Sequence, residues 1–166
     1  MLKESTVEGG GTAVLDATDV ATAMQRLDLL DLSNVKMKLA DTDEGPGLSA
    51  GEIELMEAEY RKFLALQLMH PGAVIVPCKI VDEMWHRHIL DTAAYREDCR
   101  AIFGRFLDHY PYFGMRNEAE AQELFDAYAD TLDLYRDAFG EPPAGSWVAD
   151  GDAARCRRQC APMKCR

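Results

Sequence analysis

Apolar residues recur at intervals of three and four along three long segments of the chain, which is the spacing of amphipathic helices. The first segment begins at Ser49 and ends near Met69, before a His-Pro-Gly sequence. Ser49 and Glu52 occupy the positions of a capping box, in which the two residues satisfy free backbone N–H groups reciprocally. The sequence therefore predicts one long helix, whose core-facing residues are Ile53, Met56, Tyr60, Phe63 and Leu64.

The second segment begins at Lys79 and has one broad apolar face. That face carries Val81, Met84, Trp85, His88, Thr92, Tyr95, Cys99, Ile102, Phe103 and Phe106. Asp91 is a suitable N-cap for a helix that starts at Thr92, so the segment can divide into two helices at this point. The pattern predicts that His88 is buried.

The third segment opens at Asn117 and ends at Gly140, which prolines follow. Its predicted buried stripe is Leu124, Phe125, Tyr128, Leu132, Tyr135 and Phe139. Residues 27–40 suggest one or two short helical turns, with Ser33 or Asn34 as the cap. The β-branched sequence at residues 73–77 favours a buried extended connector between helices.

These elements predict an all-α fold, a compact bundle of about five helices. A chain of 166 residues suits one domain, which we assign to residues 27–143. Residues 1–26 are expected to form a flexible, disordered leader, because residues 1–20 lack hydrophobic periodicity. Residues 144–166 form a basic, cysteine-rich tail with Trp147 as its one anchoring residue.

Composition and charge narrow the functional classes. A hydrophobic content of 48% with 28% charged residues is typical of a soluble globular protein. No apolar run approaches the roughly 20 residues of a membrane span, so no membrane partner is expected. The 13 cationic and 29 acidic side chains of residues 1–152 give that part a net charge of −16, which argues against a broad nucleic-acid-binding face.

The five cysteines are an odd number, and the N-terminal residues have no apolar core of signal-peptide length. This combination favours reduced thiols and a cytoplasmic location over a disulfide framework. An acidic surface with tyrosine-rich helices permits a dimer without requiring one, so the oligomeric state stays open.

Three histidines and their neighbours are the candidate metal ligands. His86, His88 and His109, with Cys99 or Asp91 as a further ligand, offer imidazole, thiolate and carboxylate donors that suit zinc, copper or iron. On an unbroken helix His86 and His88 lie about 160° apart, so a shared site requires the break near Asp91. The alternative is that each histidine is a hydrogen-bonded core group with an aromatic partner.

A reactive Cys99 is less well supported. The neighbouring Asp98 would raise the pKa of the thiol and make it less reactive. A Cys99–His88–Asp91 hydrolase fails on a straight helix, because about 16 Å would separate the cysteine from the histidine. A structural role for Cys99 is therefore the expectation.

The tail carries three further thiols, Cys156, Cys160 and Cys165, among five cationic side chains. The cations are Arg155, Arg157, Arg158, Lys164 and Arg166. Their charge raises the thiolate fraction, which favours metal capture, disulfide exchange or enzymatic modification. The spacing matches no standard zinc pair, and a solvated tail with incidental cysteines is the competing interpretation.

The sequence VPCKIVDEMWHRHILDTAAYREDC, followed by FGRFLDHYPYFG, resembles the bacterial and plant glycine-rich domain-containing-protein-like family. The resemblance extends from about residue 29 to residue 143. Its signature here is Trp85, His86, His88, Leu90, Asp91, Tyr95, Asp98 and Cys99, with His109, Tyr110 and Pro111 downstream. The resemblance implies a domain of unassigned activity, which in plants is fused to other domains and is linked to development. This chain has no glycine-rich extension.

Three functional hypotheses follow. The first is a small binding or accessory protein with a partner protein and a histidine-rich pocket for a transition metal ion. The second is a metal-dependent enzyme that uses the same histidines. The third is a folded carrier whose cysteine tail captures metal or is changed by a modifying enzyme.

Overall fold

The computed structural model describes residues 19–147, and within that range the chain forms six α-helices and no strand. The helices are α1 (Val20–Leu27), α2 (Ser33–Ala40), α3 (Ala50–Met69), α4 (Lys79–Leu90), α5 (Thr92–Phe103) and α6 (Glu118–Phe139). This confirms the predicted all-α fold with about five helices. In the described part of the chain, no helix is both long and apolar enough to cross a membrane.

Capping side chains set the helix boundaries that the sequence predicts. Ser49 and Glu52 form the capping box at the start of α3. The carboxylate of Asp91 accepts a hydrogen bond from the backbone of Ala94, so the chain breaks between α4 and α5 as expected. The side chain of Asn117 caps α6 in the same way.

Three expectations that concern helices α1, α2 and α6 are wrong. Helix α2 begins at Ser33 itself, with Leu32 as the N-cap, and Asp31 Oδ1 accepts a hydrogen bond from the backbone N–H of Ser33 at 3.0 Å. Phe125 is 45% exposed, because it lies beside the buried stripe of α6 and not within it. Helix α1 begins at Val20, inside the segment assigned to a flexible leader.

Helix α3 lies at the centre of the bundle and packs against α1, α2, α4 and α6. Helix α4 also packs against α2 and α5. The connector from α3 to α4 is extended and buries Ile75 and Val76. The backbone N–H of Val76 donates to Thr131 Oγ1 of α6 at 3.0 Å, which holds the connector against that helix.

The buried carboxylate of Glu59 joins α3 to the residues after α6. It accepts hydrogen bonds from the Tyr135 hydroxyl and from Trp147 Nε1, both at 2.8 Å, and from Lys62 Nζ at 2.8 Å. Trp147 is 5% exposed, which places this residue of the predicted tail in the core. The thiols of Cys156, Cys160 and Cys165 lie outside the described residues.

Candidate metal centre

Asp82, His86 and His109 bring three ligand atoms together at one point. Nε2 of His86 lies 3.1 Å from Nε2 of His109, and Nε2 of His109 lies 3.0 Å from Oδ1 of Asp82. The third side of the triangle, from His86 Nε2 to Asp82 Oδ1, is 3.6 Å. Among the described residues, this is the group of histidine, cysteine and acidic side chains with the spacing of a metal site.

The size of this triangle fits one metal ion. At bond lengths of about 2.1 Å, two ligand atoms of a zinc-type ion are about 3.0 Å apart at a right angle and about 3.4 Å apart at the tetrahedral angle. The three observed separations of 3.0, 3.1 and 3.6 Å bracket these values. Two imidazoles and one carboxylate are a ligand set that transition metal ions accept.

A single proton cannot complete both contacts of His109 equally well. A neutral imidazole nitrogen either carries one proton or offers one lone pair. If Nε2 of His109 donates to Asp82, it has no lone pair for His86. If it accepts from His86, it has no proton for the Asp82 oxygen 3.0 Å away. A cation within the triangle would attract all three atoms, so a bound ion is one arrangement that satisfies both contacts of His109.

Local structure explains how the three side chains meet. Asp82 and His86 are four residues apart on α4 and therefore lie on one face of that helix. His109 comes from the loop between α5 and α6, and its ring packs edge-on against Trp85 with the ring centres 4.5 Å apart. Trp85 Nε1 donates to the Tyr95 hydroxyl at 2.9 Å.

Tyr95 fixes the loop that carries His109. Its hydroxyl donates to the backbone carbonyl of Leu107 at 2.6 Å, two residues before the histidine. Burial raises the pKa of Tyr95, so the phenol stays protonated and remains a donor. The hydrogen bonds of Trp85 and Tyr95 thus connect α4, α5 and the loop on one side of the site.

The site lies beside a cleft and is partly exposed. The side chains of Asp82 and His109 are each 12% exposed, and that of His86 is 32% exposed. Asp82 and His109 line a cleft with a volume of about 470 Å³. Three protein ligands next to a cleft are typical of metal sites that keep coordination positions for water or a ligand.

A family model described as UCP032817-like matches residues 25–128, which is more than half of the chain. The chain belongs to the UCP032817-like family. The family's description names no activity. The matched range contains Asp82, His86 and His109, so the candidate metal centre lies in the part of the chain that the UCP032817-like model covers. No curated protein and no solved structure matches the chain.

Membership in the UCP032817-like family corrects the resemblance drawn from the sequence. The Trp-His-x-His series and the His-Tyr-Pro sequence suggested the glycine-rich domain-containing-protein-like family, and that assignment is wrong. Trp85, His88 and Tyr95 are packed together in the core. A series of these residues therefore reflects the packing of two helices, which is why it misled the family assignment.

In this UCP032817-like protein His88 does not join His86 and His109. Its Nδ1 lies 2.9 Å from the Tyr60 hydroxyl, and its Nε2 lies 2.9 Å from Oδ2 of Asp98. Both ring nitrogens therefore have protein partners. Burial lowers the pKa of His88, although the hydrogen bond and charge of Asp98 oppose that shift. His88 is a neutral core histidine that donates to Asp98 and accepts from Tyr60.

The other predicted ligands also lie elsewhere. The carboxylate of Asp91 caps α5. Cys99 is 2% exposed within α5 and is a buried free thiol. Burial raises the pKa of the second buried thiol, Cys78, to about 12, which keeps it protonated and unreactive. The structure thus brings together two of the five predicted ligands, His86 and His109.

The third member, Asp82, was missed by the sequence analysis. Its signal was the spacing Asp-x-x-x-His, which places a carboxylate and an imidazole one helical turn apart. The helix dipole also favours an acidic residue in the first turn of a helix, so the position of Asp82 can be explained without a metal ion. Only the position of His109 distinguishes the two roles.

Proposed function

We propose that this protein binds one divalent transition metal ion through Oδ1 of Asp82, Nε2 of His86 and Nε2 of His109. The observation that carries the proposal is the triangle of 3.0, 3.1 and 3.6 Å between these atoms. Two of these distances meet at Nε2 of His109, where one proton serves both contacts poorly.

The donor set favours iron(II) or zinc. Two imidazole nitrogens and one carboxylate oxygen, with further positions open, suit both ions. A thiolate would shift the preference toward softer metals, and Cys99 is not part of the group. When bound, such an ion polarises a ligand carbonyl or lowers the pKa of a bound water.

The function that this site supports best is that of a metal-containing binding or accessory protein in the cytoplasm. A metal-dependent enzyme is the second candidate, and the cleft beside Asp82 and His109 favours it, since an enzyme needs room for a substrate at the ion. The carrier hypothesis for the cysteine tail stays a prediction, because residues 148–166 lie outside the described part of the chain.

Elemental analysis of the full-length protein tests the proposal. We expect about one metal ion per chain, lost in His86→Ala and in His109→Ala. His70→Ala is the matched control, because His70 follows α3 and lies outside the triangle. If the purified protein holds no metal, cobalt(II) titration decides the question: a visible absorption band that requires both histidines supports the site. No metal and no cobalt band would refute it.

A further inference from the structure

The cleft beside the candidate metal centre has apolar walls. Five residues, each less than a tenth exposed, supply them: Ile75, Val76, Trp85, Leu107 and Leu124. A volume of about 470 Å³ lies within the range of small-molecule sites, which is roughly 300–1,000 Å³. A small ligand with an apolar body can therefore pack against these walls.

The charge of the cleft depends on the metal ion. Its charged lining residues are Asp82, Arg105 and Asp108, which give a local net charge of −1 when His109 is neutral. A divalent ion at the triangle changes that sum to +1. The metal-free cleft therefore repels an anion, and the loaded cleft attracts one.

We propose that the loaded cleft binds a small apolar carboxylic acid, whose carboxylate enters an open coordination position of the ion. The hydrocarbon body then packs against the five wall residues. This inference rests on the proposed metal site. A monocarboxylate neutralises the local charge of +1. A protonated amine would be repelled by that charge, and a neutral ligand would leave it uncompensated.

Arg105 is the residue that adds positive charge for such an anion. It follows Gly104, which ends α5 with a φ of 66°, and it lies on the loop that also carries His109. Its Nη1 makes only a long contact of 3.4 Å with the Phe106 carbonyl, which leaves its guanidinium little constrained by that bond. Its charge offsets that of Asp108 at the cleft.

Metal and carboxylate binding are thermodynamically linked in this arrangement. Because the ion reverses the local charge, it raises the affinity for the carboxylate. By reciprocity the carboxylate raises the affinity for the ion by the same factor. A ligand that binds the apolar walls alone would show no such coupling.

The test uses the full-length protein loaded with cobalt(II) and three probes: benzoate, benzamide and acetate. Benzamide keeps the ring but lacks the charge, and acetate keeps the carboxylate but lacks the ring. We expect benzoate to bind at least about tenfold more tightly than either probe, because only benzoate uses both the walls and the ion. Calorimetry gives the affinities, and the cobalt absorption band reports entry of the carboxylate into the coordination sphere.

Two variants separate a specific effect from general electrostatics. Arg105→Gln should weaken benzoate binding by about fivefold and leave cobalt binding nearly unchanged. Arg100→Gln is the matched control: its side chain is 76% exposed on α5 and pairs with Glu97. It should leave benzoate affinity at the wild-type value.

The outcomes distinguish the two proposals. Failure of cobalt(II) to bind overturns the metal site and this inference together. If cobalt binds but benzoate is no tighter than acetate and benzamide, or binds equally well to metal-free protein, the metal site stands and the carboxylic-acid ligand is wrong. An equal loss in Arg105→Gln and Arg100→Gln would exclude the assigned role of Arg105.

Discussion

Nε2 of His86 lies 3.1 Å from Nε2 of His109, although the two residues are 23 positions apart. Two imidazoles approach in this way only when a proton or a metal ion lies between them, since two lone pairs repel. Asp82 Oδ1, 3.0 Å from His109 Nε2, adds negative charge at the same point. The contact therefore links helix α4 to the α5–α6 loop, either through a shared proton or, as we propose, through a metal ion.

Removal of the charge of Asp82 should weaken metal binding. We expect Asp82→Asn to reduce the affinity for zinc(II) by roughly 100-fold, about 3 kcal/mol, because the carboxylate is the one anionic ligand of the triangle. Competition with a chromophoric chelator measures the affinity.

Glu83→Gln is the control for that measurement. It removes the neighbouring carboxylate, which pairs with Arg87 at 2.9 Å and not with the histidines. Its zinc affinity should stay within about twofold of wild type, as expected for a partly exposed ion pair. Equal losses in both variants would mean that net charge, and not coordination, determines affinity.

Metal removal should lower the stability of the fold. An ion that binds only the folded state at 100 times its dissociation constant adds about 2.7 kcal/mol to the free energy of unfolding. Thermal denaturation with zinc(II) and with EDTA should therefore show a shift of several degrees in Tm. His109→Ala should abolish the shift, while His70→Ala should retain it. A shift that survives in His109→Ala would place the ion elsewhere.

Sequence periodicity and capping residues were sufficient to predict helices α3 to α6, but not α1. The capping box at Ser49, the break at Asp91 and the burial of His88 depend on neighbours within a few residues, so one sequence contains the information. The exposure of Phe125 was not predicted. The apolar pattern indicates which side of the helix faces the core, but the packing partner determines how many residues on that side are buried.

The site was predicted only in part, for a different reason. Which residues form the site depends on where the loop after α5 lies relative to α4. The hydrogen bond from the Tyr95 hydroxyl to the Leu107 carbonyl determines that position. Such a contact is not visible in the periodicity. This contact helps to place His109 beside Asp82 and His86. His88 lies on a different face of α4 and contacts Tyr60 and Asp98.

His88 should make stability depend on pH. Burial lowers its pKa below the ordinary 6.5, so below pH 6.5 the unfolded chain takes up a proton that folded His88 does not. The contribution of neutral His88 to the free energy of unfolding is complete above pH 6.5. It decreases as the pH falls, by at most about 1.4 kcal/mol per pH unit. Urea denaturation in EDTA at pH 7.0 and 5.5 measures the decrease.

His88→Gln should remove this part of the pH dependence. The variant should also lose about 1–3 kcal/mol at pH 7.0, because the buried Tyr60 hydroxyl loses its partner. His70→Gln should keep the wild-type difference between the two pH values. A variant at His88 with the full wild-type difference would assign the effect to other groups.

The carboxylate of Glu59 should be a major determinant of stability. It is 1% exposed and accepts hydrogen bonds from Tyr135, Trp147 and Lys62, so its removal leaves three donors without this acceptor. We expect Glu59→Ala to lower the free energy of unfolding by about 3 kcal/mol or more. Urea denaturation followed by circular dichroism measures the loss.

Two further substitutions identify the cause of that loss. Glu59→Gln keeps the size of the side chain and one acceptor oxygen but removes the charge next to Lys62, so its cost should be smaller than that of Glu59→Ala. Glu54→Ala removes an exposed carboxylate from the same helix and should change stability by no more than about 0.5 kcal/mol. Equal effects of the Glu54 and Glu59 substitutions to alanine would show that helix propensity, and not the buried hydrogen bonds, is being measured.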